Sequence, residues 1–375
     1  MKIAIPKEQR AHESRVAASP ETVKKLVALG FEVMVEKGAG ELSAMPNAAY
    51  QNAGASLGKT AEETYKNADI ILKIQRPFLK EEGQDELSLM KKGAILIGIL
   101  GALTAPDHLK AYEAQGITAI ALEMIPRITR AQSMDVLSSQ SNLAGYRAVI
   151  EAAHAFGRAF PMMMTAAGTI LPAKVLILGA GVAGLQAIAT AKRLGAAVSA
   201  FDVRLAAKEQ VESLGATFIA VQETQDTETI GGYAKEASQE YQKRQSLLIH
   251  EVLKTTDIAI TTALIPGRPA PRLITSEMVE DMKPGSVIVD LAVENGGNCS
   301  LSELGRIVDF HGKKIIGYAN LPGRIATDAS ALYARNLLNF LQLIWNAEQK
   351  KINLNLEDDT LRAAVVVHEG VRRLS

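Results

Sequence analysis

Two groups of residues in this 375-residue sequence have the types and spacing to do chemistry. The first is Gly179-Ala180-Gly181-Val182-Ala183-Gly184, which follows an apolar run at 175–178 and opens a helical pattern at 185–194. A second apolar run, 197–201, ends on Asp202. In dinucleotide binding each part has a mechanical job. Gly179 permits a tight turn, Gly181 lets backbone N–H groups approach a pyrophosphate, and Gly184 lets helix and strand pack closely; Ala180 and Val182 lie between them in the same cradle. Phosphates would then sit at a helix N-terminus, where free N–H groups and the helix dipole favour negative charge. Asp202 is placed to accept hydrogen bonds from the adenosine ribose hydroxyls, and its charge would repel a 2′-phosphate, which favours NAD over NADP. Two residues on, past Val203, Arg204 can in principle recruit that phosphate. Glycine-rich turns also form without a ligand, so the ordered setting of strand, glycines, helix, strand and acid carries the reading.

The second group is the dense polar stretch at residues 127–142, with Arg127, Arg130, Gln132, Asp135, Ser138 and Asn142. If a second domain holds a nicotinamide, the ring projects into a cleft between two doubly wound domains. Hydride transfer between carbon centres needs no nucleophile and no metal. It needs two ring carbons held close, a fixed carboxamide and managed ring charge. Gln132 can both donate to and accept from a carboxamide, Asp135 can favour the positive oxidised ring, and Arg127 can hold Asp135 or a phosphate. A blander reading stands beside this one: a polar helix cap with Ser138 as N-cap and Asp135 solvated.

Other candidates are weaker. Arg15 follows the first strand and can bind a carboxylate, although a surface loop arginine is the default. The six histidines, 12, 108, 154, 250, 311 and 368, lack metal-ligand spacing, so no metal site is expected; His154 and His250 fall on helical stretches. Met162, Met163 and Met164 stand beside a hairpin-like stretch at 165–169 and suit packing at a subunit contact. Asp290 and Glu294 close a strand on the ligand side of a sheet, where they either face the cleft or simply end the strand.

Elements must position these groups. Strands are predicted at 3–5, 31–36, 70–74, 94–99 and 117–123, with helices at 20–29, 47–53, 61–67 and 106–115. That alternation predicts a doubly wound parallel sheet. A long helix is expected over 138–160, ended by Pro161, as a connector. Beyond the glycine motif, a helix at 208–214 and strands at 218–221, 258–261, 286–290 and 315–318 continue a second such sheet. Residues 223–243 are polar, contain Gly231, Gly232 and Tyr233, and read as a long lid-like loop. A second long apolar helix, 328–348, crosses back to the first domain, and 363–368 is a further strand. The expected organisation is therefore α/β: two doubly wound parallel-sheet, Rossmann-like domains separated by a cleft and joined by long helices. The first comprises 1–137 plus 328–375, and the second, 138–327, binds the nucleotide.

Composition bounds the function. Lys plus Arg equals Asp plus Glu at 41 each, so no nucleic-acid footprint is expected. The single cysteine, Cys299, cannot form an internal disulfide and fits a reducing compartment. The first strand begins at the N-terminus, leaving no room for a signal peptide, and the apolar stretch 94–105 is too short to span a bilayer.

At these residues the chain resembles two related families over nearly its full length: alanine dehydrogenase, and the NAD(H)-binding domain I of the alpha subunit of proton-translocating nicotinamide nucleotide transhydrogenase. Both share Ile5-Pro6-Lys7-Glu8, Arg15-Val16, the glycine motif and Met282-Lys283-Pro284-Gly285 running into Asp290. The dehydrogenase's catalytic histidine falls where Gly101 stands, and its substrate-binding lysine where Gln75 stands; Arg15 is retained. Without the acid/base group and one carboxylate clamp, a keto acid is neither protonated nor held. The transhydrogenase pattern is matched closely. The stretch 126–135 resembles that family's nicotinamide-holding loop, with Arg127, Ile128, Thr129, Gln132, Asp135 and Ser138 as the residues implied. Gly232 and Tyr233 resemble its mobile loop over bound nucleotide, and 261–267, with Leu264, the segment lining the adenosine. Gln245 is also implied as a nucleotide contact. The resemblance raises the functional reading of Gln132 and Asp135 above the capping one.

What the resemblance implies is an NAD(H)-binding subunit that passes hydride directly from NADH to NADP⁺ on a separate NADP(H)-binding domain. It implies coupling to proton movement through a transmembrane domain on another chain, a homodimer, and a cytoplasmic location against the membrane through those partners. Two rivals remain: a stand-alone amino-acid dehydrogenase of the alanine dehydrogenase type, and a catalytically silent NAD-binding module that reports redox state.

Overall fold

Apolar runs buried on both faces become the central strands, as parallel sheets covered by helices require. In the computed structural model, which describes residues 1–221 and 238–374, the chain begins with β1 (Lys2–Ile5), α1 (Pro20–Ala28), β2 (Glu32–Glu36), α2 (Asn47–Asn52), β3 (Ser56–Gly58), α3 (Ala61–Tyr65) and β4 (Ile70–Gln75). It continues with β5 (Ile95–Ile99), α4 (Pro106–Gln115), β6 (Thr118–Ala121) and the long α5 (Val136–Ala155). The start of α1 is set by chemistry visible in the sequence: Ser19 is its N-cap, in a reciprocal box with Thr22, and Pro20 opens the first turn.

A short exposed hairpin, β7 (Met163–Thr165) and β8 (Gly168–Ile170), leads into β9 (Lys174–Leu178), α6 (Val182–Arg193), β10 (Ala197–Phe201), α7 (Ala207–Ser213) and β11 (Thr217–Ile219). Then come α8 (Gln239–Leu253), β12 (Ile258–Thr261), α9 (Ser276–Glu280), β13 (Val287–Asp290), β14 (Arg306–Phe310) and β15 (Lys313–Gly317). The return is made by α10 (Ala326–Ile344), a small ladder of β16 (Trp345–Asn346) and β17 (Lys351–Ile352), α11 (Asp359–Ala364), β18 (Val365–His368) and β19 (Val371–Arg372).

The chain divides into two units, residues 1–140 with 323–375 and residues 141–322. The first unit's sheet has the order β19-β18-β6-β5-β4-β1-β2-β3, with β1 to β6 parallel and β18 antiparallel to β6. The second unit's sheet runs β11-β10-β9-β12-β13-β15-β14, parallel except for the edge strand β14. Both contain the 3-2-1-4-5 order of doubly wound nucleotide-binding sheets, which reverses direction between the first and fourth strands. Each unit has its own core: Tyr333, Leu337, Phe340 and Leu341 of α10 pack with β1, β2 and β4 in the first, and β9, β12 and β13 pack with α6 in the second. Among the described residues no helix is long and apolar enough to cross a membrane.

The two parallel-sheet units bear out the expected fold class, and several details differ from the sequence reading: α10 ends at Ile344 rather than at 348, and of the expected strand 363–368 only Val365–His368 is extended, the rest closing α11. The connecting helix stops at Ala155 rather than at Pro161. The apolar residues beyond it, Phe156 and Phe160, leave the helix to form an edge-to-face pair, ring centroids 6.2 Å apart, in the second unit's core. The expected loop at 223–243 ends early, because α8 starts at Gln239, capped by Ser238; its remainder up to 237 lies outside the described residues. The edge strand β14 was not anticipated, and neither were the short β3, α9, β16, β17 and β19. The alternating burial of β14 leaves Arg306, Ile307 and Asp309 exposed, which masks it as a loop.

Candidate functional site

The second unit builds a cradle at the C-terminal ends of β9 and β12, its switch point. Gly179 leaves β9 with φ +104°, a conformation open to glycine, and a Cβ there would meet Thr262 Oγ1 at 2.6 Å. At Gly184 a Cβ would overlap the Gly179 carbonyl oxygen, so this glycine is what lets α6 sit against the turn. Gly181 is different. Its φ is ordinary, −78°, and among the described residues an added Cβ would find nothing within 4 Å. The fold itself does not require glycine there. A ligand pressed against the backbone would, and the residue is the N-cap of a twelve-residue helix with no side-chain cap, among the described residues, on its first N–H groups. The cradle therefore fits a pyrophosphate.

Asp202 stands at the end of β10 with its side chain 7% exposed. It accepts from the Ala180 N–H at 2.7 Å, which ties the end of β10 to the glycine turn. It also accepts from Arg204: from the backbone N–H at 2.8 Å, Nε at 2.9 Å and the terminal nitrogen at 2.8 Å. A carboxylate offers about four acceptor positions, and these four bonds fill them. Ribose hydroxyls would compete at this carboxylate with the donors already on it, the Arg204 guanidinium among them.

Beside this turn, the segment after β12 is pinned by Asn298, a fully buried residue that the sequence reading missed. Its Oδ1 accepts from Ala263 N at 3.0 Å, and its Nδ2 donates to the carbonyls of Ala263 at 2.9 Å and Pro271 at 2.8 Å. Leu264 follows as an exposed apolar side chain. Gln245 is buried on α8, and Tyr241, four residues earlier, is buried close enough to Asp202 for the two to interact. Burial and then the Asp202 charge push the Tyr241 hydroxyl above its ordinary pKa. The i, i+4 series Tyr241, Gln245, Ile249 and Leu253 with a Ser238 cap was the available signal for α8. Gly232 and Tyr233 lie outside the described residues. Asp290 takes the structural role. It is fully buried and accepts from Thr261 Oγ1, Ala292 N, Cys299 N and Ser302 Oγ at 2.7–3.1 Å. Glu294 accepts from Asn320 N at 3.1 Å.

In the first unit the polar stretch forms a 3-10 turn, Thr129–Met134, ahead of α5. Ala131 and Met134 are buried in the unit's core, which leaves Arg127, Ile128, Thr129 and Gln132 outward. Asp135 is half-buried, and its carboxylate accepts from Ser138 N at 2.8 Å and from Ser138 Oγ at 2.5 Å. The capping reading is thus corrected: Asp135 caps α5, because the helix opens at Val136, and Ser138 lies inside its first turn as the donor.

Arg15 is not a surface residue. It is 7% exposed and already holds a carboxylate, that of Glu13, at 2.7 Å to each oxygen, and it donates to Gln140 Oε1 at 2.8 Å. Gln75 Nε2 donates to the same Glu13 at 2.7 Å. Burial opposes the Glu13 charge, but Arg15 and these hydrogen bonds outweigh it and hold its pKa below the ordinary value. Nearby, Lys73 is 1% exposed and bonded to Glu86 at 2.7 Å, with Glu8 at 3.4 Å. Gly101 has φ +67° in a turn whose Leu100 and Ala102 N–H groups are held by Glu123. His108 and His250 pair with Glu82 and Asp281, and among the described residues no cluster has the make-up of a metal site.

Comparison with known proteins agrees with this anatomy. Residues 4–144 match the family model "Alanine dehydrogenase/PNT, N-terminal domain" and residues 148–373 match "Alanine dehydrogenase/PNT, C-terminal domain". The chain is 59% identical over 372 residues to an NAD(P) transhydrogenase alpha-subunit chain of Rhodospirillum rubrum, covering 99% of this chain and 97% of that one. A solved transhydrogenase structure from Sinorhizobium meliloti shares 51% identity with a TM-score of 0.89, covering 99% of this chain and all of that one. An L-alanine dehydrogenase structure shares 27% identity with a TM-score of 0.80, covering 99% and 96%. The chain belongs to the alanine dehydrogenase/PNT family and, within it, resembles the NAD(P) transhydrogenase alpha subunits most closely of these.

Proposed function

We propose that this chain is the NAD(H)-binding subunit of a proton-translocating transhydrogenase, and the observation that carries the reading is the open ground above Gly181. A glycine that its own fold does not need, at the uncapped start of a long helix, is best explained by a diphosphate against the backbone. NADH, when bound, supplies the hydride from its ring C4 to the C4 of NADP⁺ on a separate chain. The protein's part is to bind, orient and balance charge. Residues 179–184 receive the diphosphate. Asp202, Val203 and Arg204 take the adenosine ribose, with Gly232, Tyr233, Gln245 and Leu264 around the nucleotide. Arg127, Ile128, Thr129, Gln132, Asp135 and Ser138 hold the nicotinamide: Gln132 through its carboxamide, Asp135 by favouring the oxidised ring's charge. Ser138 fixes the Asp135 carboxylate.

The keto-acid reading is disfavoured by chemistry. Gly101 supplies no acid, and the Arg15 guanidinium is already neutralised by Glu13. Partners are an NADP(H)-binding domain and a transmembrane proton-conducting domain, with the chain against the cytoplasmic face of the membrane through them. A homodimer joined through the hairpin β7–β8 is supported by its exposed Met163, Met164, Ile170 and Leu171.

The test is a fluorescence titration with NADH and NADPH, followed by reduction of an NADP analogue by NADH with and without the partner components. Tighter binding of NADH, and turnover only with partners, is expected. Preference for NADPH, or unaided turnover of pyruvate and ammonium, would overturn the reading.

A further inference from the structure

The outward side chains of the 129–134 turn have a fixed aim only if something fixes the turn. Its apolar underside, Ala131 and Met134, sets depth but not lateral position. Asn336 on α10, 7% exposed, supplies the rest. Its Nδ2 donates to the Ser133 carbonyl at 2.8 Å, and its Oδ1 accepts from Ser139 Oγ at 2.8 Å. The amide's orientation follows from chemistry, since a carbonyl can only accept. Ser133 directly follows Gln132, and Ser139 directly follows Ser138. One buried amide therefore spans the segment that carries Gln132, Asp135 and Ser138, holding it at both ends. Asn339, three residues on, donates to the same Ser133 carbonyl at 3.0 Å. A third tie comes from the C-terminal segment: Arg130 forms a two-point pair with Asp358 at 2.5 and 3.0 Å, and Asp358 is itself the N-cap of α11.

We propose that Asn336 is a positioning residue for hydride transfer, setting the spacing between the Gln132 turn and the Asp135 helix start, with Asn339 and Asp358 as auxiliary ties. The proposal rests on the reading of this turn as the nicotinamide-holding segment. It acts on reactive geometry rather than on affinity, because the diphosphate and adenosine groups are assigned to the other unit.

The full chain, reconstituted with its partner components, is compared with Asn336→Ala and Asn336→Asp by NADH titration and single-turnover hydride transfer. Asn336→Ala is expected to slow transfer about 10- to 100-fold, the scale of a small misplacement of reacting groups, with the NADH Kd changed less than about threefold on the same argument. In Asn336→Asp a carboxylate cannot donate to the Ser133 carbonyl, but a protonated carboxyl can. Its transfer rate should therefore recover as pH falls, a limb that the native chain lacks. Should Asn336→Ala fail to fold, Asn339→Ala removes one of the two bonds to Ser133 and is expected to show the same split between rate and affinity, more weakly. A native transfer rate in folded Asn336→Ala, a parallel loss of rate and affinity, or an Asn336→Asp pH profile that follows the native one overturns the positioning role alone. A native chain that binds no NADH overturns the functional reading and the positioning role with it.

Discussion

The two units share a strand order, and each reverses direction between its first and fourth strands, yet the two switch points are finished in opposite ways. At β1 and β4 the crevice is filled by the chain's own charges: Arg15 on Glu13, Gln75 on the same carboxylate, and Lys73 between Glu8 and Glu86. At β9 and β12 the glycine turn presents backbone, and among the described residues nothing stands over Gly181. The same topology thus yields a saturated crevice in one unit and a receptive one in the other. A switch point offers a place for a ligand; the side chains at the loop ends decide whether that place is already taken.

Breaking the saturated crevice should have the largest effect, and on stability. Arg15→Met leaves Glu13 buried without its cation and should cost about 3–5 kcal/mol in denaturant unfolding, the usual penalty for orphaning one partner of a buried pair. In the receptive crevice the contrast between two neighbouring glycines is the sharper test. Gly181→Val should leave the melting temperature near the native value but weaken NADH binding by about 100-fold, or ~2.7 kcal/mol. Gly184→Ala should instead lose about 1–3 kcal/mol of stability, because its methyl overlaps the Gly179 carbonyl. Equal loss of stability in both variants would erase the distinction drawn between them.

A pH series separates the crevices further. Burial is the main cause that pushes the Glu8 carboxyl up to about 7, with Lys73 opposing it. A raised carboxyl pKa means the folded state holds a proton that the unfolded state has released between the ordinary glutamate range and about 7. This group's contribution to stability therefore falls as pH rises through that window. Glu8→Gln should remove that slope, so that the variant gains on the native chain as pH rises from about 5 to about 8 in unfolding titrations; a constant difference would refute it. The smallest effect is expected at Asp202→Asn. Weaker acceptance from ribose should raise the NADH Kd about tenfold, ~1.4 kcal/mol, while NADPH binding tightens, since the repelling charge is gone and Arg204 is released toward a 2′-phosphate.

Much of this was legible from residue order. The glycine turn with Asp202, the Ser19-Pro20 helix start and the α4 span of Pro106–Gln115 all rest on local chemistry, and the structure has them where the pattern put them. Failures cluster where a residue serves the core rather than its own element. Phe156 and Phe160 extended the apolar pattern of α5 past its real end. The polar start of α8 hid an i, i+4 stripe. Arg15 read as a loop arginine because Gln140, its second partner, and Gln75, which shares the Glu13 carboxylate with it, are brought to it only by folding. Asn298 and Asn336 carry no local signal at all, since their partners lie on other segments.

Residue order was enough for the two wound sheets and the receptive glycine turn, because hydrophobic period, capping and backbone freedom act over a few residues. Which charges are spent internally emerged only on folding: Asp202 is engaged by Arg204, Arg15 is closed by Glu13, and Asn336 clamps the Gln132 turn. Those outcomes depend on burial and on hydrogen-bond distances that the fold sets: Asn336 meets Ser133 from 203 residues away, and even the near neighbours Glu13 and Arg15 are committed to each other by burial; neither quantity exists until the core has formed.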